Sequence, residues 1–329
     1  MKNPCEALIA VTYRCNAKCH MCNIWQYPTK KSEEIQPKDL EKIPSNLKFA
    51  NITGGEPFLR DDIEDLVSVV LTKTKRLVIS SNGYYTERIV NLAKKFPQIG
   101  VRVSIEGLPA ANDDLRGLKD GFDHGLRTLL RLRAMGLCDI GFGITVSDRN
   151  AKDLLELYEL SEAMGYEFAT AVTHNTYYFH KFDNQFNDQS MIVGQFKELA
   201  RRLLSARRPK NWFRAYFNCG LANFVEGKER PLACEVATDL FFMDPFGEVQ
   251  ACNGMEASMG NIKNADSFEQ IWNSRRAAAV RAMVKNCRKN CWMVGSASPA
   301  MKKRVWVPAL WVVKNKIRLM KGQDIECRV

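Results

Sequence analysis

Residues 6–22 read EALIAVTYRCNAKCHMC, an apolar run that ends at Tyr13-Arg14 and opens into a loop with three cysteines and a histidine in eight positions. A short apolar run bounded by polar loop residues predicts a buried strand. Cys15, Cys19 and Cys22 form a C-x3-C-x2-C pattern, one ligand short of a closed tetrahedral or cubane site.

Working outward, the same alternation recurs. FANIT, RLVIS, VRVSI, GFGITV and EFATAV are β-like runs, separated by amphipathic stretches such as DIEDLVSVVLTK and AKDLLELYELSEAMG. Strands alternating with helices imply parallel βα units. Six such units before about residue 180 predict an α/β fold, a partial (β/α)6 TIM-like barrel over residues 1–185. In a barrel of this kind the loops after the strands carry the chemistry. Those loops hold CNAKCHMC, GGEP, SNG, EG, SDRN and HN in turn.

The 329 residues predict one large domain and one smaller one. A linking helix is expected over 186–209 and a smaller α+β domain over 210–295. There DLFFMDPFGEVQAC reads as a hairpin, and DSFEQIWNS as a helix with Asp266 and Glu269 spaced as a capping box. A tail over 296–329 completes the chain. Apolar residues make up 46% and charged residues 26%, so neither disorder nor a low-complexity array is indicated.

The N-terminus lacks a secretion-signal pattern, and no apolar run reaches the ~18 residues of a membrane span. A cytoplasmic location is therefore expected, in which eleven cysteines point to metal or redox chemistry rather than disulfides. Cys5, Cys138 and Cys327 stand apart from any cluster and read as inert thiols. Net charge is +11, but seven basic residues and no acid fall between Met301 and Lys321, so the rest of the chain makes no case for a nucleic-acid surface.

The three-cysteine loop, with Thr53-Gly54-Gly55-Glu56-Pro57 after the second strand, resembles the radical S-adenosylmethionine (SAM) superfamily. The resemblance extends to Ser81-Asn82-Gly83, Ser104-Ile105-Glu106-Gly107 and Arg116-Gly117. It implies that Cys15, Cys19 and Cys22 hold a 4Fe-4S cluster whose open iron binds SAM, so the missing ligand is the cofactor. It also implies an injected electron, from an external donor such as flavodoxin or ferredoxin, and a 5′-deoxyadenosyl radical that abstracts hydrogen from substrate. Met21, Gly54, Gly55, Glu56, Asn82, Ser104, Glu106, Arg116 and Val146 are the implied SAM contacts. The family commonly has Asp where Glu106 stands. On ligand chemistry alone, a zinc knuckle using His20 is the competing reading.

A second set, Cys234, Cys252, Cys287 and Cys291, matches a cubane or a tetrahedral zinc site. Its surroundings resemble the SPASM and twitch domains of radical SAM enzymes, in the single-cluster form, which implies one auxiliary 4Fe-4S cluster. Electron transfer is the natural role of a fully ligated cluster, and a structural role is the alternative. Cys219 is a spare that reads as inert.

His174 and Tyr177, just beyond strand six, are the candidates for a catalytic base. A small sugar-like or lipid-linked substrate leads: the resemblance implies that peptide-modifying relatives often carry a leader-binding module ahead of the barrel, and with the first cysteine motif at residue 15 a leader is expected to need a separate protein; a ribosomal peptide is the alternative. A non-catalytic metal scaffold with an RNA- or membrane-binding tail would explain the cysteines but not GGEP, SNG and SIEG in register with successive strands. In the tail, Trp306, Leu310, Val313, Ile317 and Met320 recur at helical spacing amid lysines. Such a helix either lies on the inner membrane surface or docks on protein.

Overall fold

The computed structural model describes residues 2–327. Its first half runs β1 (Glu6–Ala10), α1 (Pro37–Leu40), β2 (Phe49–Thr53), α2 (Ile63–Lys73), β3 (Leu77–Ser81), α3 (Thr86–Lys95), β4 (Gly100–Ser104), α4 (Pro109–Arg116), α5 (Gly121–Ala134), β5 (Ile140–Val146), α6 (Leu154–Ala163) and β6 (Glu167–Val172). The second half adds α7 (Gln189–Ser205), α8 (Pro209–Val225), β7 (Leu240–Met243), β8 (Glu248–Gln250), β9 (Ser258–Asn261), α9 (Phe268–Trp272), α10 (Arg275–Lys285), α11 (Val294–Lys303) and α12 (Trp306–Met320).

Strands β1 to β6 are parallel and lie in chain order, so each βα unit places its strand beside the previous one. Ala7, Ile9, Ile52, Ile79, Val101 and Phe142 are fully buried within this sheet. Parallel strands covered on both faces need such near-continuous apolar runs. Helix α3 shows the complementary pattern, with Ile89, Val90, Leu92 and Ala93 buried and its lysines gathered in the last turn. There the C-terminal carbonyls favour positive charge. The architecture is the expected α/β partial barrel, with all six strand C-termini at one face.

Four features depart from the sequence reading. First, the hairpin β7–β8 is continuous with the barrel. Strand β7 pairs parallel with β1, and the order β6-β5-β4-β3-β2-β1-β7-β8-β9 makes one nine-stranded sheet. Second, residues 209–225 are a second long helix, α8, packed along α7. Third, the cap of α9 is Ser267, whose hydroxyl accepts from the Gln270 amide, instead of Asp266. Fourth, Cys219 and Cys327, both read as inert, form a disulfide. They are 108 residues apart in sequence, yet α8 and the segment after α12 bring their Cα atoms to 4.9 Å, within disulfide range. Spacing along the chain carries no trace of that approach.

Candidate functional site

The cysteine loop leaves β1 at the open face and is held there by a buried ionic network. Glu34 accepts from Arg14 Nε at 3.0 Å, Arg14 Nη2 at 2.9 Å and Arg60 Nη1 at 3.1 Å, and also from the hydroxyls of Thr12 and Thr29. Burial alone would raise the Glu34 carboxyl; Arg14, the two hydroxyls and Arg60 outweigh it and hold the group below the usual carboxylate range. Arg60 also donates to the Val11 and Ile35 carbonyls, so one guanidinium ties the end of β1 to the loop that follows.

Further along, the loop backbone is zipped to the end of α4. The Lys18 amide donates to Arg116 O at 2.9 Å and the His20 amide to Leu115 O at 2.8 Å. Gly117 caps that helix in the left-handed region at φ 54°, and a Cβ there would lie 2.8 Å from the Lys18 carbonyl oxygen. Beyond Cys22, the Asn23 amide donates to Phe179 O at 2.8 Å. The three cysteines are therefore fixed by β1, α4 and the segment after β6 together.

Cys15, Cys19 and Cys22 line one cavity of about 230 Å³, and Met21, Gly54, Gly55, Asn82, Ser104, Glu106, Arg116 and His174 join them. Burial pushes the Cys15 and Cys22 thiols up to about 12, and Cys19 upward as well. Left to themselves they stay neutral; a bound metal supplies the positive charge that makes thiolates stable. Glu106 accepts from Arg116 Nη1 at 2.9 Å and from the Thr145 amide at 2.5 Å. Arg116 Nε is buried without a hydrogen-bond partner. A buried guanidinium that lines a cavity and keeps an unpaired donor is suited to a carboxylate.

His174 is the second group with an orphaned nitrogen. Its Nδ1 lies 2.8 Å from the Val172 carbonyl, which can only accept, so Nδ1 carries the proton and Nε2 presents a lone pair. Burial lowers its pKa below the ordinary histidine value, keeping the ring neutral at neutral pH. His174 also lines a larger, more open cavity of about 1,540 Å³, together with Tyr177, Glu256, Cys287, Arg288 and Cys291. It therefore stands at the junction of the two spaces.

Three residues read from the sequence lie elsewhere. The Glu56 carboxylate is fully buried and accepts from the Phe58 amide, the Asn82 amide and the Ser81 hydroxyl, which pins the turn after β2 to the end of β3. Val146 is core, and its neighbour Thr145 lines the smaller cavity instead. Tyr177 reaches the larger cavity alone. The reason for Gly54 and Gly55 also changes: Cβ atoms there would lie 2.5 Å from Thr12 O and 2.3 Å from Arg14 O, so the glycines let the β2 turn pack on the cysteine loop's own backbone. Residues missed in the sequence include Trp25, Thr145, Thr173 and Phe179, which line the smaller cavity by strand register and loop path, with no local motif.

His20, the ligand that a zinc knuckle would need, is exposed and turned to Arg149 Nη1 at 2.9 Å. Among the described residues no three His, Cys, Asp or Glu side chains are grouped to hold a single metal ion. A polynuclear cluster, whose thiolates bind different irons, does not need so tight a grouping.

The second cysteine set is drawn from segments farther apart in the chain. Cys234 precedes β7, Cys252 follows β8, and Cys287 and Cys291 flank the turn after α10. Burial, with Cys291 and Cys234 near enough to add to it, raises the Cys252 thiol to about 11. Arg230 donates to the carbonyl of Cys291 and stacks over the Trp292 ring at 5.1 Å, which anchors the last cysteine. Four soft donors and no carboxylate suit an iron-sulfur cluster.

Comparisons agree with this geometry. The radical SAM superfamily model matches residues 9–161, and the iron-sulfur cluster-binding domain model, SPASM, matches residues 234–292. The chain belongs to the radical SAM superfamily and carries a C-terminal SPASM-type domain. Its cofactors are accordingly SAM and 4Fe-4S clusters. Among curated proteins it is 31% identical to an Fe-coproporphyrin III synthase of Methanosarcina barkeri over 46% of this chain and 39% of that one. It is 23% identical to the sporulation killing factor maturation protein SkfB of Bacillus subtilis, over 87% of this chain and 68% of the other. The alignments to the first two curated relatives span only about two fifths of their lengths. In fold it is similar to Streptococcus suis SuiB, with a TM-score of 0.63 at 17% identity over 88% of this chain and 73% of SuiB.

Proposed function

We propose that the chain is a radical SAM enzyme that abstracts a hydrogen atom from a peptide substrate, with the larger cavity as the substrate space. The observation that carries this is the junction at His174, where the small cavity lined by three cysteines meets the large one bordered by Cys287 and Cys291. In this reading Cys15, Cys19 and Cys22 hold the SAM-binding 4Fe-4S cluster, and Cys234, Cys252, Cys287 and Cys291 a single auxiliary one. When bound, the pair of cluster and SAM supplies a 5′-deoxyadenosyl radical after one-electron reduction by an external donor.

The chain's own groups do the rest. Arg116, kept charged beside Glu106, offers its spare Nε to a carboxylate. Asn82, Ser104 and Met21 border the same space and orient what lies in it. The loop from Cys15 to Cys22 keeps its thiols out of water. In this reading His174 Nε2, whose lone pair has no hydrogen-bond partner among the described residues, accepts a proton from a substrate held across the junction.

Two observations favour a peptide over the sugar-like or lipid-linked substrate expected from the sequence. The maturation protein SkfB and the subtilosin biosynthesis protein AlbA both align over more than four fifths of this chain. The larger cavity, open and about 1,540 Å³, has room for an extended segment. The test is anaerobic turnover of the reconstituted chain with SAM and dithionite, reading 5′-deoxyadenosine. Added peptides encoded beside its gene are expected to raise the yield about tenfold over the peptide-free rate, and His174→Phe to keep 5′-deoxyadenosine while losing modified peptide. Stimulation by nucleotide sugars or polyprenyl-phosphate sugars, with none by peptide, would replace the substrate class. No 5′-deoxyadenosine under any condition would remove the activity.

A further inference from the structure

Helix α12 presents two unlike faces. Pro308, Trp311, Val312 and Asn315 are buried against the protein. Trp311 Nε1 donates to Glu326 O at 2.9 Å, and the Glu326 amide donates to Asn315 Oδ1 at 2.7 Å. The opposite face carries Trp306, Leu310, Val313, Ile317 and Met320, which are between 47% and 86% exposed. Their spacing of four, three, four and three residues aligns them in one stripe about 20 Å long. Elsewhere among the described residues exposed large apolar side chains are scattered, whereas here they are contiguous.

The charges beside this stripe select its occupant. On the helical wheel Lys314 and Lys321 flank one side and Lys316 the other, and no acid occurs from 301 to 321. Lys314 pairs with Glu326 at 2.8 Å, and Lys316 lies over the Trp212 ring at 3.8 Å. Arg304 and Lys321 have no ion pair among the described residues. A second copy of the helix laid on this stripe would bring lysines against lysines. An anionic bilayer surface meets both requirements, with apolar side chains entering the acyl boundary and lysines reaching phosphates. The helix cannot cross the membrane, because no helix among the described residues is long and apolar enough.

At its N-terminal end the stripe continues into a cavity of about 400 Å³, bordered by Val305, Phe213 and Phe217 with Lys210, Arg214 and Lys302 at its margin. Each of those cations is paired, Lys210 and Arg214 with Glu167 and Lys302 with Glu6. Apolar surface with a cationic margin therefore extends past the helix itself.

We propose that the outer face of α12 is an interfacial membrane contact, which seats the enzyme on an anionic bilayer with the helix parallel to the surface. This does not rest on the substrate reading above. The test is co-sedimentation of the full chain with vesicles of phosphatidylcholine, alone or mixed with phosphatidylglycerol. Binding is expected to be about tenfold tighter to the mixed vesicles and to weaken as salt is raised. Leu310→Glu with Ile317→Glu should lower it about tenfold without moving the melting temperature, since both side chains are exposed. Arg304→Glu with Lys321→Glu should abolish the preference for anionic lipid. Failure to sediment with either vesicle would overturn the proposal. So would a dimer in velocity sedimentation that the Leu310/Ile317 variant dissociates, which would assign the face to a second copy of the chain.

Discussion

The two cysteine sets differ in how the chain builds them. The first occupies eight consecutive residues, locked by Glu34 and Arg60 on one side and by backbone hydrogen bonds to α4 on the other. The second is drawn from a strand entry, a strand exit and a turn after a helix, and spans Cys234 to Cys291. Its segments are tied by separate contacts, Arg230 over Trp292, Lys289 to the Gly254 carbonyl and Asn290 to the Lys228 carbonyl, and Cys287 is exposed. A short loop can be made rigid by a few buried ions, whereas a site assembled from distant segments depends on what it binds for much of its order.

The largest expected contrast is in metal content. Changing Cys15, Cys19 and Cys22 to Ala should drop about eight irons per chain to about four and abolish 5′-deoxyadenosine. Changing Cys234, Cys252, Cys287 and Cys291 to Ala should also leave about four irons but retain substrate-free SAM cleavage. If the second variant lost SAM cleavage as completely as the first, the division of labour proposed between the two sets would fail. In the same comparison, the Cys15/Cys19/Cys22 variant, which keeps only the auxiliary cluster, should lose more thermal stability on iron removal than the auxiliary variant, because the second lobe gains order from its cluster.

Next in size is the brace. Glu34→Ala leaves Arg14 and Arg60 without their shared carboxylate, and Arg60 is only 2% exposed. Breaking a buried pair costs about 3–5 kcal/mol where the partner is left uncompensated, and Arg60 keeps Asp62 at 2.5 Å, so the expected cost is at the low end, about 3 kcal/mol. Denaturant unfolding of wild type and variant measures it; a cost below about 1 kcal/mol would mean that water reaches the network. Because the Glu34 carboxyl is held below the ordinary range, its stabilisation is present at neutral pH and is lost as pH falls through its folded value.

The smallest effect has the opposite sign. Asp244, in the β7–β8 turn, is buried, and burial pushes its carboxyl up to about 6 even though the Phe246 and Glu248 amides donate to it. Its contribution is greatest below the ordinary carboxylate range and is lost as pH rises through 6, by about 2–3 kcal/mol. Melting temperature followed between pH 4 and 6 should show this slope, and Asp244→Asn should remove it. A slope that survives the substitution would move the effect to another group. Acid therefore weakens the brace of the first set, and rising pH weakens the hairpin that leads to the second.

Much of this protein was legible in the amino-acid order. Six strands, their parallel sense and the loops that carry cysteines and glycines follow from alternation over short windows, because backbone pairing and side-chain burial repeat every few residues. The hairpin and the exposed stripe of α12 were equally local. What only the tertiary structure decided depends on segments far apart in the chain. Strand β7 joins β1 and fuses the second lobe to the barrel sheet. Glu56 turns inward to pin β3, Thr145 takes the lining position beside Val146, and His20 leaves its cysteines for Arg149. Cys219 finds Cys327 across 108 residues. Local periodicity says which face of an element is buried; only the packed chain says what that face meets.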